Sequence, residues 1–134
     1  MIVVDTNVVA YLLIDGDQSS FAKRVHEEDP FWAAPFLWRS EMRNILAGYL
    51  RTGALDLRLV KEYVTDAQAL LTGREFDVDS GRVLELAATS GCTAYDCEFV
   101  CLAERLRLPL VTADKQIIRA FPPIAVSMQD FIAS

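Results

Sequence analysis

Four short apolar runs, Ile2-Val3-Val4, Phe31-Trp32-Ala33-Ala34, Pro109-Leu110-Val111-Thr112 and Ile124-Ala125-Val126, lack the polar alternation of a strand with one wet face. Such runs suit strands covered on both sides, the condition of a parallel sheet. Between them apolar residues recur at helical spacing: Met42, Ile45, Leu46, Tyr49 and Leu50 in one segment, and Phe99, Leu102, Ala103 and Leu106 in another. This alternation predicts an α/β fold with a central parallel sheet flanked by helices. Glu75-Phe76-Asp77 reads as a further short strand, with helices near 56–71 and 80–89, and Gly53, Gly73 and Gly91 stand where helices should stop. No linker or repeat interrupts the pattern, so residues 1–134 are expected to form a single domain, long enough for one core.

Composition narrows the setting. Hydrophobic residues make up 52% and charged residues 24%, which excludes a disordered chain. The apolar start, Met1 to Gly16, lacks the basic region of a signal peptide and is interrupted by Asp5. No apolar run reaches the roughly 18 residues of a membrane span. Cys92, Cys97 and Cys101 fit neither a disulfide framework nor paired zinc ligands, so a reducing, cytoplasmic location with no membrane contact is expected. His26 stands alone and receives no role. The net charge of −6 argues against strong non-specific nucleic-acid binding. That objection weakens if some acids gather around a cation, because the cation reverses the local field.

In an open parallel α/β sheet, ligands bind beyond the carboxyl ends of the strands where strand order reverses. Asp5 directly follows the first run and Asp114 the third, so both should emerge at that edge. Each could instead be a helix N-cap, and Thr93-Ala94-Tyr95-Asp96 fits a capping box. Glu41 projects about 100° from the centre of its helix's apolar stripe and Asp96 about 70° from that of its own, placing both at the border of the core. Border acids can line a cleft. Four converging carboxylates repel strongly unless cations bind them. Mg²⁺ or Mn²⁺, which take oxygen ligands and retain water, match a set without clustered His or Cys.

The sequence resembles the PIN domain, in particular its VapC toxin branch. The resemblance rests on Val3-Val4-Asp5-Thr6-Asn7, Ser40-Glu41, Tyr95-Asp96 and Val111-Thr112-Ala113-Asp114-Lys115, in that order along nearly the whole chain. It implies a PIN-like three-layer fold with a central parallel sheet of order 3-2-1-4-5 flanked by helices. It also implies an acidic pocket of Asp5, Glu41, Asp96 and Asp114, with Asn7, Thr112 and Thr6 hydrogen-bonding around it. The implied activity is Mg²⁺- or Mn²⁺-dependent hydrolysis of RNA, with Asp5, Asp96 and Asp114 as metal ligands and Glu41 as ligand or water-orienting base. Gln116 departs from the family, where many members carry another acid.

The implied partners are an RNA substrate, a cognate antitoxin whose tail reaches the acidic pocket, and a second copy of the chain in a homodimer. DNA is met only indirectly, through the antitoxin. A basic tail suits the net charge, and apolar helix borders near Trp38 and Leu50 are expected to accept it. Arg39 and Arg43 project about 160° from Glu41 and are expected at a surface or interface, while Lys115 is the better phosphate candidate. Two phosphoryl-transfer alternatives fit less well. A haloacid-dehalogenase-type phosphatase needs an acid where Asn7 stands, and a receiver domain needs an Asp after a middle strand, where Trp32-Ala33-Ala34-Pro35 supplies none. A PIN-fold binding module without catalysis is disfavoured because all four acids are present.

Overall fold

The computed structural model describes every residue, Met1–Ser134. Along the chain run β1 (Ile2–Val4), α1 (Thr6–Leu13), α2 (Ser19–Glu28), β2 (Trp32–Pro35), α3 (Trp38–Thr52), α4 (Leu57–Leu71) and β3 (Glu75–Phe76). They are followed by α5 (Ser80–Ser90), α6 (Ala94–Leu106), β4 (Leu110–Val111), α7 (Lys115–Ala120), β5 (Ala125–Val126) and α8 (Met128–Ala133). The strands form one sheet of order β3-β2-β1-β4-β5, and every neighbouring pair is parallel. This is the order that the resemblance implies.

Every residue of β1, β2 and β4 is buried, which is why these runs carry no polar alternation. Right-handed crossovers place the β1→β2→β3 connections on one face of such a sheet and the β3→β4→β5 connections on the other. The helices divide accordingly. On one side α1 packs with α2, α3 and α4, and α4 reaches β2, whereas α5 packs with α6, which lies against β1, β2 and β4. The two halves meet at β1, so strand order reverses between β1 and β4. Val4 is in register with Val111, which sets Asp5 and Thr112, one residue further on, beside each other at the carboxyl edge.

The helix boundaries follow local chemistry. Gly53 ends α3 in the left-handed region at φ 75°, where its N–H reaches the carbonyls of Tyr49 and Leu50. Gly91 ends α5, also in the left-handed region, at φ 76°. Asp56 and Asp79 cap α4 and α5 by accepting the N–H groups of Leu59 and Arg82. No helix is long and apolar enough to cross a membrane.

The expected apolar border at Trp38 is corrected by its environment. Trp38 is only 1% exposed, and its indole Nε1–H donates to Glu75 Oε2 at 2.7 Å. Leu50 is half-buried against the core. Arg39, expected at a surface or interface, is partly exposed there and donates from Nη2 to Glu75 Oε1 at 2.8 Å and from Nε to Oε2. One carboxylate thus ties the first turn of α3 to the edge strand β3, which has only two residues of its own ladder.

Arg39 holds the Glu75 carboxyl below its ordinary range, with the Trp38 bond acting in the same direction against the effect of burial. A depressed folded-state pKa contributes stability above the ordinary carboxylate pKa and loses it as pH falls through the depressed value. Glu75→Ala is therefore expected to cost about 1–3 kcal/mol at neutral pH, because it leaves a buried indole N–H without a partner. Glu75→Gln keeps an acceptor and should cost less. Its deficit should shrink as acid protonates Glu75 in the wild type. Urea unfolding at neutral and acidic pH measures both effects, and an Ala variant as stable as wild type at neutral pH would contradict the assignment.

Candidate active site

Asp5 leaves the end of β1 with its backbone still in the sheet: its N–H donates to Val111 O at 3.0 Å. The side chain is only 9% exposed and has no cationic partner. Instead, Thr6 N–H donates to Oδ1 at 2.8 Å and the Thr112 hydroxyl donates to Oδ2 at 2.7 Å. Thr112 is fully buried, and its oxygen also accepts the Asp114 N–H at 3.0 Å. A single hydroxyl therefore links the two strand-end acids. Burial pushes the Asp5 carboxyl above its ordinary range, the Thr112 and Thr6 bonds oppose the rise, and the charges of Asp96 and Asp114 add to it.

Glu41 comes to the same place from the first turn of α3. The Thr6 hydroxyl donates to Glu41 Oε1 at 2.7 Å, so Thr6 serves Asp5 through its backbone and Glu41 through its side chain. Burial raises the Glu41 pKa against the Thr6 bond, and neighbouring Asp5, Asp96 and Glu98 reinforce the rise.

The cap and pocket readings turn out to be compatible. Asp114 caps α7, with Oδ1 accepting the N–H groups of Gln116 at 2.8 Å and Ile117 at 3.4 Å, and still lines the cleft. The Thr93 hydroxyl accepts the Asp96 N–H at 3.1 Å, but no bond returns from the Asp96 carboxylate to Thr93, so only half of the capping box forms. Gln116 turns its amide to Gly91 O at 3.1 Å.

Asp5, Glu41, Asp96 and Asp114 line one cleft of about 190 Å³ together with Thr6, Asn7, Asn44 and a single apolar residue, Ile45. The structure thus brings together all four predicted acids, with Thr6 and Asn7, and sets Thr112 behind Asp5 as a buried support. Asn44 was not anticipated, although it follows Glu41 by three residues and so shares its helix face. No Lys or Arg lines the cleft, and Lys115 is exposed outside it.

The donor set is all oxygen. Cys97 and Cys101 are buried elsewhere, and burial raises their thiol pKa values. Oxygen donors without cationic compensation fit a hard divalent ion. No group of three His, Cys, Asp or Glu side chains is drawn close enough to hold an ion unaided.

Among solved structures, the chain is similar to PAE2754 from Pyrobaculum aerophilum, at 20% identity and TM-score 0.78 over 98% of this chain and 92% of that one. It is also similar to a toxin–antitoxin complex from Klebsiella pneumoniae, at 17% identity and TM-score 0.72 over 96% and 98% of the two chains. FitAcB from Neisseria gonorrhoeae gives 17% identity and TM-score 0.72 over 96% and 99%. No curated protein sequence matches. The PIN domain matches residues 2–121, which cover the first four strands of the sheet and the four acids of the cleft, and the chain belongs to the PIN-domain family.

Proposed function

We propose that this chain is a Mg²⁺- or Mn²⁺-dependent endoribonuclease acting as the toxin of a toxin–antitoxin pair. The observation that carries the reading is the cleft: four carboxylates from β1, α3, α6 and the β4–α7 junction, lined by no protein cation. PIN-family membership supports nuclease chemistry, and a structural neighbour described as a toxin–antitoxin complex supports the partner class.

Asp5, Asp96 and Asp114 are the residues to hold the ion. Asp5 is pre-oriented by Thr112 and Thr6, and Asp114 commits Oδ1 to its cap, leaving Oδ2 for the cleft. A divalent ion supplies charge neutralisation at a phosphodiester and lowers the pKa of a coordinated water. Glu41, whose Oε1 accepts the Thr6 hydroxyl and whose pKa is raised by burial, serves as a further ligand or as the base that orients the attacking water. Asn7 and Asn44 present the neutral amide donors of the cleft, suited to phosphate oxygens where no Lys or Arg is present.

The partner reading has a surface of its own. A groove of about 390 Å³ runs beside the cleft, lined by Tyr11, Ile14, Asp15, Asp17 and Tyr49 among others, and shares Asn7 and Ile45 with it. Apolar walls with two exposed carboxylates suit an amphipathic, basic antitoxin segment that reaches the acids with an Arg or Lys. This groove replaces the expected border at Trp38.

Purified protein is expected to cleave RNA only with Mg²⁺ or Mn²⁺, and Asp5→Asn or Asp96→Asn should abolish cleavage. Gel assays with and without EDTA test this. Full activity in excess EDTA, or in both variants, would sink the mechanism.

The Asp96 carboxylate accepts no hydrogen bond within the chain, so removing its charge loses no partner while relieving repulsion. Without metal, Asp96→Asn should therefore be more stable than wild type by on the order of 1 kcal/mol, between the water-screened and partly buried limits for a like-charge contact. Added metal should raise the wild-type melting point more than the variant's, since an ion bound only by the folded state stabilises it by mass action. Calorimetry in EDTA and in metal reads both; a less stable metal-free variant with an equal metal shift removes Asp96 from the site.

Expression without a neutralising partner should arrest growth and produce new RNA ends, whereas Asp96→Asn should do neither. Mapping RNA 5′ ends after brief induction reads the outcome and the target together. Unchanged growth and RNA on wild-type expression argue against the toxin reading.

A further inference from the structure

Beside the acidic cleft lies a second groove, of about 450 Å³, lined by Leu37, Ser40, Glu41, Asn44 and Tyr95. It shares Glu41 and Asn44 with the cleft, so a ligand held at the acids extends directly into it. Tyr95 immediately precedes Asp96 at the start of α6, which fixes its ring at a short offset from the acids. It is 63% exposed and pairs with no other aromatic ring, so its face is open to a ligand.

The chemistry of this groove differs from that of the cleft. It offers an aromatic ring, the apolar Leu37 side chain, a hydroxyl from Ser40 and an amide from Asn44, with no Lys or Arg. Its one charge, Glu41, is negative, so a phosphate is repelled there, whereas a neutral, flat, hydrogen-bonding group is accommodated. A nucleobase is such a group. Stacking of unpaired bases on exposed aromatic side chains is the usual way in which single-stranded nucleic acid is held without base-specific contacts.

We propose that Tyr95 is a stacking platform for the nucleobase next to the phosphate held in the acidic cleft. The inference rests on the ribonuclease reading of the cleft and adds a binding residue to it. Ser40 and Asn44 lie in position to contact the edge of that base or its sugar.

The test is steady-state cleavage of a single-stranded oligoribonucleotide by wild type, Tyr95→Ala, Tyr95→Phe and Tyr95→Trp. Loss of one base stack corresponds to about a 5- to 150-fold weakening, so Tyr95→Ala should raise KM by that factor with kcat little changed. Tyr95→Phe and Tyr95→Trp keep an aromatic face and should stay near wild type. Substrates carrying an abasic nucleotide at successive positions should show one position at which wild type falls to the level of Tyr95→Ala and the variant loses nothing more. A 2-aminopurine base at that position should be quenched on binding to wild type and not to Tyr95→Ala.

Wild-type cleavage with an unchanged KM for Tyr95→Ala overturns the stacking role alone. Equal losses for Tyr95→Ala on intact and abasic substrates do the same, as does a failure of Tyr95→Phe, which would point to the hydroxyl. A change from dimer to monomer in Tyr95→Ala by sedimentation assigns the ring to a second copy of the chain instead. A wild type that cleaves no oligonucleotide overturns the ribonuclease reading and this inference with it.

Discussion

The structure turns on a carboxylate that has no countercharge. Asp5 is buried at the end of the central strand, where an isolated charge would be expelled or protonated, yet no Lys or Arg reaches it. Two hydrogen bonds, from the Thr6 N–H and the Thr112 hydroxyl, take the place of an ion pair. The second of these closes across 107 residues of sequence separation and exists only because β1 and β4 are neighbours in the sheet. Strand order, register and site are therefore one constraint: a slip of β4 against β1 would remove the Thr112 partner and the Asp114 position together.

From that constraint the electrostatics of the molecule become coherent. Asp5 feels Asp96 and Asp114, while Glu41 feels Asp5, Asp96 and Glu98, and every one of these influences disfavours charge. A fold built for stability alone would place an Arg here, as it does at Glu75, where Arg39 and Trp38 together satisfy one edge-strand carboxylate. The same chain thus contains a compensated acid that fastens α3 to β3 and a group of uncompensated acids a turn of helix away. The contrast separates a structural carboxylate from carboxylates kept available for a ligand.

Much of this was legible in the sequence because burial on both faces leaves a mark. The β1, β2 and β4 runs are apolar without alternation, and the strand at Glu75-Phe76 was marked by its place between two helices. The first helix was less visible: α1 buries Thr6, Val8, Val9 and Ala10, and its apolar composition supplies too little polar face to set a period. In α2 the buried positions are Ser19, Ala22 and Val25, and two small or polar residues among three carry little hydrophobic signal. Asp5 and Asp114 could be placed from strand ends, and Glu41 and Asp96 from the edges of helical stripes. Asn44 left no trace, because a neutral amide on a helix has no charge to set it apart. Trp38 was misplaced for a different reason: its partner, Glu75, lies 37 residues away, and nothing local tells a tryptophan at a helix start that its N–H will be satisfied inside.

The net charge of −6 makes the remaining argument one of local balance rather than overall attraction. A polyanion approaching this surface finds no basic lining at the cleft, so long-range steering opposes it and short-range contacts must hold it. The protein's own resources near the acids are two amides and an exposed aromatic ring, each effective only at contact, to which the proposed function adds a divalent ion. A cationic protein segment meets the opposite situation, since the field draws it in and the acids pair with it directly. On the proposed function, the same uncompensated carboxylates favour a basic inhibitor over an RNA substrate, which competes only with a cation in the cleft. For the proposed function, competition between metal-assisted substrate binding and a basic segment is the consequence of a cleft around Asp5 that no Lys or Arg lines.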